Sequence, residues 1–372
     1  MHKIAFANAL RGIACISVVI YHYVAVFNML KGEYGGIPAL PYSPYPAALT
    51  AILNPVPFIN LGAFGVSLFF LISGFVIPLS VDKLCSQCGG RVTFVVSRLF
   101  RIWPTYIAGF FISLSALTIA AKYMGYTTPY TKPQIAANLT LFRDWFGGFP
   151  QIDGVIWTLE IEIKFYLAIL LFWGQISKGK MLPFIITFIA MLAASTYRPL
   201  ATWPSHFPES YLFCIKYIFF MMIGMTFNYH HRGLLKGAWL CALNISMLSA
   251  FLFVTIYEGW SSDFSAGYAT SFIVFSAMYV KAKDWQGNAA VRHLATISYP
   301  LYACHAMFGA VAIRIMIDYG IPSAAALAIQ LVAVIVVSTV IHKLVERPSQ
   351  IFGKKISKKI NLLTNREAKI AE

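Results

Sequence analysis

The chain has 372 residues, of which 59% are hydrophobic, 16% aromatic and 12% charged, with a formal net charge of +15. Soluble domains hold about 25% charged residues, so this composition, with a mean hydropathy of +0.69, excludes a water-soluble globular fold and points to a membrane protein. Collagen-like, disulfide-scaffold and disordered classes fall away too, because Gly, Pro and Cys number 25, 18 and 6 and no low-complexity tract is present.

Apolar runs long enough to cross ~30 Å of hydrocarbon recur ten times, at about 7–29, 58–80, 102–121, 155–173, 181–197, 210–229, 238–257, 264–280, 298–317 and 322–342. They predict an all-α integral membrane protein, a polytopic bundle of about ten transmembrane helices over residues 1–345, followed by a basic cytoplasmic tail over 346–372. The first run contains Arg11 and lacks a small-x-small cleavage site, so it reads as a retained signal anchor. Alternate connections carry Lys and Arg unequally. Twenty fall on the side of the N-terminus, where they include Lys83, Arg91, Arg98, Arg101 and eight from Lys343 to Lys369. The other side holds five: Lys31, Lys122, Lys132, Arg143 and Arg198. The positive-inside pattern then places both termini in the cytoplasm, and the net charge is a topology signal rather than a nucleic-acid footprint. The longest outer stretches, about 30–57 and 122–154, are too small for a domain with its own core. The Pro-rich part of the first reads as an extended loop.

Charges within spans are costly, at least ~2.5–3.5 kcal/mol at the bilayer centre, so each needs a reason. In the first span Arg11 and His22 stand eleven residues apart. At ~100° per residue they share one face, separated by ~16 Å along the axis, with Arg11 towards the cytoplasm and His22 towards the outside. The second connection holds Cys85 and Cys88 as a C-x-x-C without the two further ligands that zinc requires; no metal site is expected, and reduced thiols are. Cys15, Cys214, Cys241 and Cys304 read as small packing residues. In the fourth span Glu160 and Lys164 are i,i+4 and neutralise each other. Glu162 points elsewhere, at about the depth of His22, which makes the two a candidate base and orienter for acyl transfer. Lys216 and Arg314 lie in outer halves and receive no role.

The Arg11-(ten residues)-His22 spacing resembles the signature of the acyltransferase-3 family of integral membrane O-acyltransferases. So do five further segments in family order: Phe69-Phe70-Leu71-Ile72-Ser73-Gly74-Phe75, Arg98-Leu99-Phe100-Arg101-Ile102-Trp103-Pro104, Trp157-Thr158-Leu159-Glu160-Ile161-Glu162, Ile297-Ser298-Tyr299-Pro300-Leu301-Tyr302-Ala303-Cys304-His305 and Val345-Glu346-Arg347-Pro348. The ordered set covers about residues 5–352. Departures are Ala303-Cys304 in place of Leu-Trp, and Ile163 where many members have a second Glu. No esterase-like domain follows the last span, as in stand-alone members.

The resemblance implies an acyl-CoA donor, often acetyl-CoA, used as co-substrate with no permanently bound cofactor. It implies a hydroxyl of a cell-surface polysaccharide or lipid-linked glycan as acceptor, and a bacterial inner-membrane address. On that basis Arg98 and Arg101, in the loop before the third span, are expected to hold CoA phosphates, with Arg11 lining the pantetheine passage. His22 acts as general base, Glu162 orients it, and Trp157 offers a face to a sugar. His305, about seven residues from the inner end of its span, reads as a donor-channel or a structural residue, too deep to share the site of His22. A transporter or flippase for a glycan or lipid precursor is the alternative, because buried charges mark pathways as readily as catalysts. A non-catalytic partner in polysaccharide export is a third reading. Against transport stand the ordered segments and the lack of paired Gly/Pro-broken spans.

Overall fold

Hydropathy locates hydrocarbon, and helices run on past it where the chain finds caps and partners. The computed structural model describes residues 4–27, 37, 40, 44–128, 130–145, 149–197 and 207–371. Lys3, Lys31, Arg198 and much of the Pro-rich outer stretch lie outside them. In chain order the helices are α1 (Ala5–Ile20, prolonged by a π-helical turn Tyr21–Val26), α2 (Ala47–Leu53), α3 (Leu61–Leu84), α4 (Gly90–Met124) and α5 (Lys132–Leu139). After them come α6 (Ile156–Leu171), α7 (Trp173–Ser177), α8 (Leu182–Tyr197), α9 (Phe207–His231), α10 (Gly237–Tyr257), α11 (Ser262–Lys281), α12 (Ala289–Asp318), α13 (Ser323–Ile341) and α14 (Arg347–Ala371). No strand occurs among the described residues. The protein is an all-α polytopic membrane protein.

Among the described residues seven helices are long and apolar enough to cross a bilayer by themselves: α1 with its π turn, α3, α4, α9, α10, α12 and α13. The other three predicted spans are helical as well, but α6 and α8 have only 16 residues and α11 is more polar. Packing directions require crossings among them. Cys15 meets Ser298 and His22 meets His305, so α1 and α12 are parallel. Gly109 abuts Ala303 and Tyr123 stacks near Tyr319, so α4 and α12 are parallel too. Parallel helices are separated by an odd number of crossings; α9 and α10 alone make two, so α6, α8 and α11 must add an odd number, one or all three.

Two starts differ from the sequence expectation. Helix α4 begins at Gly90, not near 102, and α12 at Ala289, not near 298, where the Asn288 side chain accepts from Val291 N at 2.9 Å and caps it. The arginines of 98–101 therefore sit on a helix rather than in a loop. Pro104 lies inside α4 and frees the carbonyl of Phe100; Ser349 Oγ donates to that oxygen at 2.9 Å, so the closing Glu346-Arg347-Pro348 segment docks where the earlier proline breaks the ladder. Helices approach closely at glycines. A Cβ on Gly74 would lie 1.8 Å from Met221 O of α9, and one on Gly109 2.6 Å from Ala303 O of α12.

The connection 125–155 is not a purely external loop. Trp103 Nε1 donates to Leu139 O at 2.9 Å and Tyr106 Oη to Asn138 O at 3.0 Å, and residues 103–106 lie ~27–32 Å below the end of α4. The segment thus re-enters the bundle, which is tolerated only where protein satisfies its backbone. Gln134 and Asn138 donate to Pro150 O, Arg143 donates to Phe149 O, Asn138 Oδ1 accepts from Ile152 N, and Asp153 Oδ1 accepts from Val155 N and Ile156 N. At its buried tip Leu141 holds φ 61°, a left-handed backbone that costs a non-glycine residue roughly 1–2 kcal/mol.

Candidate active site

The first span changes its winding at the residue singled out in the sequence: Tyr21–Val26 is π-helical, and single π turns within α-helices are frequent at functional positions. His22 Nδ1 lies 2.9 Å from Val18 O and 3.2 Å from His305 Nε2. His305 Nδ1 lies 2.9 Å from Tyr302 O and 3.2 Å from Leu301 O. Carbonyl oxygens only accept, so in the neutral pair both Nδ1 atoms carry the hydrogen. His305 Nε2 is then a bare acceptor, His22 Nδ1–H is shared between it and Val18 O, and His22 Nε2 keeps its lone pair. Tyr23 Oη donates to His305 O at 3.0 Å and Gln330 Nε2 approaches Tyr23 Oη at 3.4 Å, which pins this turn of α12.

The depth assigned to His305 in the sequence is corrected by this contact. Because α12 starts at Ala289, His305 lies sixteen residues or ~24 Å from its inner end, level with His22. Glu162 is corrected in the opposite sense. The re-entrant segment delivers the chain to α6 already inside the bundle, so six residues from the start of α6 is deeper than six residues below the surface. Glu162 accepts a hydrogen bond from Tyr166 Oη and, among the described residues, makes none with His22.

Glu162 instead shares a cavity of about 80 Å³ with Arg11, Arg101, Ser73, Thr158, Ser298, Tyr299 and Tyr302, walled on the apolar side by Val66, Phe69 and Phe70. Four of the family-like segments thus converge with Arg11 on one space between α1, α3, α4, α6 and α12. Tyr302 links it to the histidine pair: its hydroxyl is 2.8 Å from Thr158 Oγ1 and its ring centroid 5.7 Å from that of His305. The site is therefore elongated, with two guanidinium groups and one carboxylate at one end and two imidazoles about three turns of α1 away.

The i,i+3 arginines divide. Arg101 lines the cavity, whereas Arg98 is buried, donates to Ser80 Oγ at 2.7 Å, and lies 5.1 and 5.5 Å from the centroids of Phe94 and Tyr166. The i,i+4 pairing of Glu160 with Lys164 is replaced by two buried ion pairs to the re-entrant tip: Glu160 takes Arg143 in bidentate fashion, at 2.8 and 3.1 Å, and Lys164 takes Asp144 at 2.7 Å. Trp157 is half-buried against Tyr217. Lys216 pairs with Glu258 and Arg314 with Asp318. Sequence reasoning missed Tyr23, Tyr166, Gln330 and Tyr302 as supports; the i,i+3 spacing of Tyr302 and His305 was the signal available.

The acyltransferase-3 family model, described as "Acyltransferase domain", matches residues 4–343. Over 119 aligned residues the chain is 31% identical to Nodulation protein 10 of Rhizobium leguminosarum bv. viciae, a stretch that takes in 28% of this chain and 31% of that relative. The chain thus aligns with less than a third of the relative's length. No solved structure matches.

Proposed function

The chain belongs to the acyltransferase-3 family, and from that membership in a family of membrane acyltransferases we propose that it carries an acyl group, acetyl in the simplest case, from acyl-CoA to a hydroxyl of a cell-surface polysaccharide or lipid-linked glycan. The observation that carries the reading is the histidine pair: the acceptors around it leave His22 Nε2 as a lone pair while its Nδ1–H is held by His305 and Val18. A base so oriented takes the acceptor's hydroxyl proton as the oxygen attacks the thioester carbonyl. The C–S bond breaks, and the proton returns from the imidazolium to the departing thiolate. His305 replaces Glu162 as the orienter. A neutral imidazole does not stabilise the imidazolium as a carboxylate would, but it fixes the tautomer.

Donor binding falls to the other end of the site. Arg11 and Arg101 face one cavity that holds, among the described residues, a single carboxylate, Glu162, so an anion is electrostatically welcome there. Arg98 braces this end from behind. With the CoA phosphates at Arg11 and Arg101, the pantetheine arm runs along the face of α1 that joins Arg11 to His22 and presents its thioester near Tyr302. The acceptor enters from the side opposite the donor, with Trp157 near its path. A cytoplasmic donor and both termini inside fit the Lys and Arg count, and a bacterial inner membrane is the address proposed.

The test is direct. Purified protein in lipid is given acetyl-CoA labelled in the acetyl group together with a glycan fraction, and the label is followed. Transfer to glycan by the wild type and not by His22→Ala is expected. Label that stays on CoA, or glycan that crosses the bilayer unmodified, would defeat the proposal.

A further inference from the structure

The reaction makes no use of α14. It follows the apolar span α13 without a break, the helix continuing through residue 364. One face of α14, Gly353, Ser357 and Asn361, is turned to the first third of α4. Gly353 abuts Phe100, Thr93 Oγ1 donates to Asn361 Oδ1 at 2.9 Å, and Asn361 Nδ2 donates to Gln87 Oε1 at 2.8 Å. On the other side Lys354, Lys355, Lys358 and Lys359 are all exposed, as are Lys343 and Arg347 before them. None of the six is in an ion pair among the described residues. Glu346 is no partner for them, since it accepts from His342 and Gln350.

Beside the lysines lie apolar side chains that the bundle leaves uncovered, Phe352 at 56% and Leu363 at 49% exposure, and the stretch of α4 packed on this helix exposes Val92, Val95 and Leu99. A soluble anion would answer the lysines and leave these side chains in water. A lipid surface answers both. Basic clusters immediately cytoplasmic of a spanning helix are attracted to anionic headgroups, and Lys354 lies only ~20 Å along the helix from the end of α13.

We propose that α14 is a lipid-docking helix: Lys354, Lys355, Lys358 and Lys359 engage the phosphate groups of anionic phospholipids while Phe352 and Leu363 enter the headgroup–acyl boundary. This stands apart from the acyl-transfer reading and holds whatever the substrates are.

The full-length protein is placed in nanodiscs of phosphatidylcholine alone or with about 30% phosphatidylglycerol, and amide hydrogen exchange is followed over residues 347–364. Anionic lipid is expected to slow exchange there by about tenfold or more, since several lysines each contribute near the surface. High salt should reverse much of the effect by screening. A K354Q/K355Q/K358Q/K359Q variant should lose the lipid dependence while its spanning helices exchange as in the wild type. Inorganic phosphate or CoA added to phosphatidylcholine discs should leave the segment unchanged. Equal exchange in both lipids overturns the proposal, and the wild-type comparison does so without any variant. So does protection restored by phosphate or CoA alone, which would make the helix a soluble-anion site.

Discussion

At the scale of single residues, the proposed division of work between the two histidines, proton transfer for His22 and orientation for His305, can be measured. His22→Ala is expected to lower kcat by ~10²–10⁴, the usual cost of a lost general base, with the protein still accumulating in membranes; activity near wild type would reduce His22 to packing. In that proposal His305 acts only through His22. His305→Leu removes the acceptor for His22 Nδ1–H and should lower kcat with little change in the KM for the donor, whereas His305→Gln, which retains an acceptor oxygen, should recover part of the loss. A purely structural role would move stability and both constants together. His22 was legible in the sequence because the eleven-residue interval to Arg11 fixes a shared face wherever the span begins. His305 was not, because its depth depended on where α12 starts, and the polar turn from Ala289 carries no hydropathy signal.

At the scale of elements, the family-like segments are explained as much by helix contact as by chemistry. Gly74 lets α3 approach the backbone of α9 to a distance that no Cβ fits. Gly74→Ala should therefore cost at least the ~1–3 kcal/mol typical of overpacking, seen as a lower midpoint of thermal unfolding in detergent. The re-entrant segment is held by the ion pairs of Arg143 with Glu160 and Lys164 with Asp144, all four side chains being buried. Removing one partner strands a buried charge, at ~3–5 kcal/mol, so Arg143→Met should be strongly destabilising. The double substitution Arg143→Met, Glu160→Leu should be markedly less so; a double variant no better than the single would mean that the pair does not hold the tip. Nothing in the sequence distinguished this arrangement from a helical i,i+4 pair. The partners of Glu160 and Lys164 come from a polar connection whose return into the bundle depends on Trp103 and Tyr106, residues that composition reads as ordinary span.

At the scale of the whole molecule, the ten crossings expected from the sequence and its uneven Lys and Arg distribution predict that reporters after Glu372 and within 83–92 read cytoplasmic and one within 34–46 external. A C-terminal fusion reading external would imply an odd number of crossings and break the assignment of donor and acceptor sides. The proposed arrangement separates donor binding from chemistry along α1. Arg101→Ala or Arg11→Ala removes a charge-assisted hydrogen bond worth ~1.5–3 kcal/mol, which is roughly ten- to a hundredfold in Kd for CoA. Arg98→Ala should weaken binding less, because Arg98 is already engaged by Ser80 and two aromatic rings. His22→Ala should leave the affinity within a few-fold of wild type, since a neutral imidazole ~16 Å along the helix from Arg11 does little to hold phosphates. Calorimetric titration of CoA into the purified variants decides the matter. If the two cavity arginines prove dispensable for CoA while His22→Ala abolishes its binding, the nucleotide lies at the histidine end, and the site runs in the opposite direction to the one described.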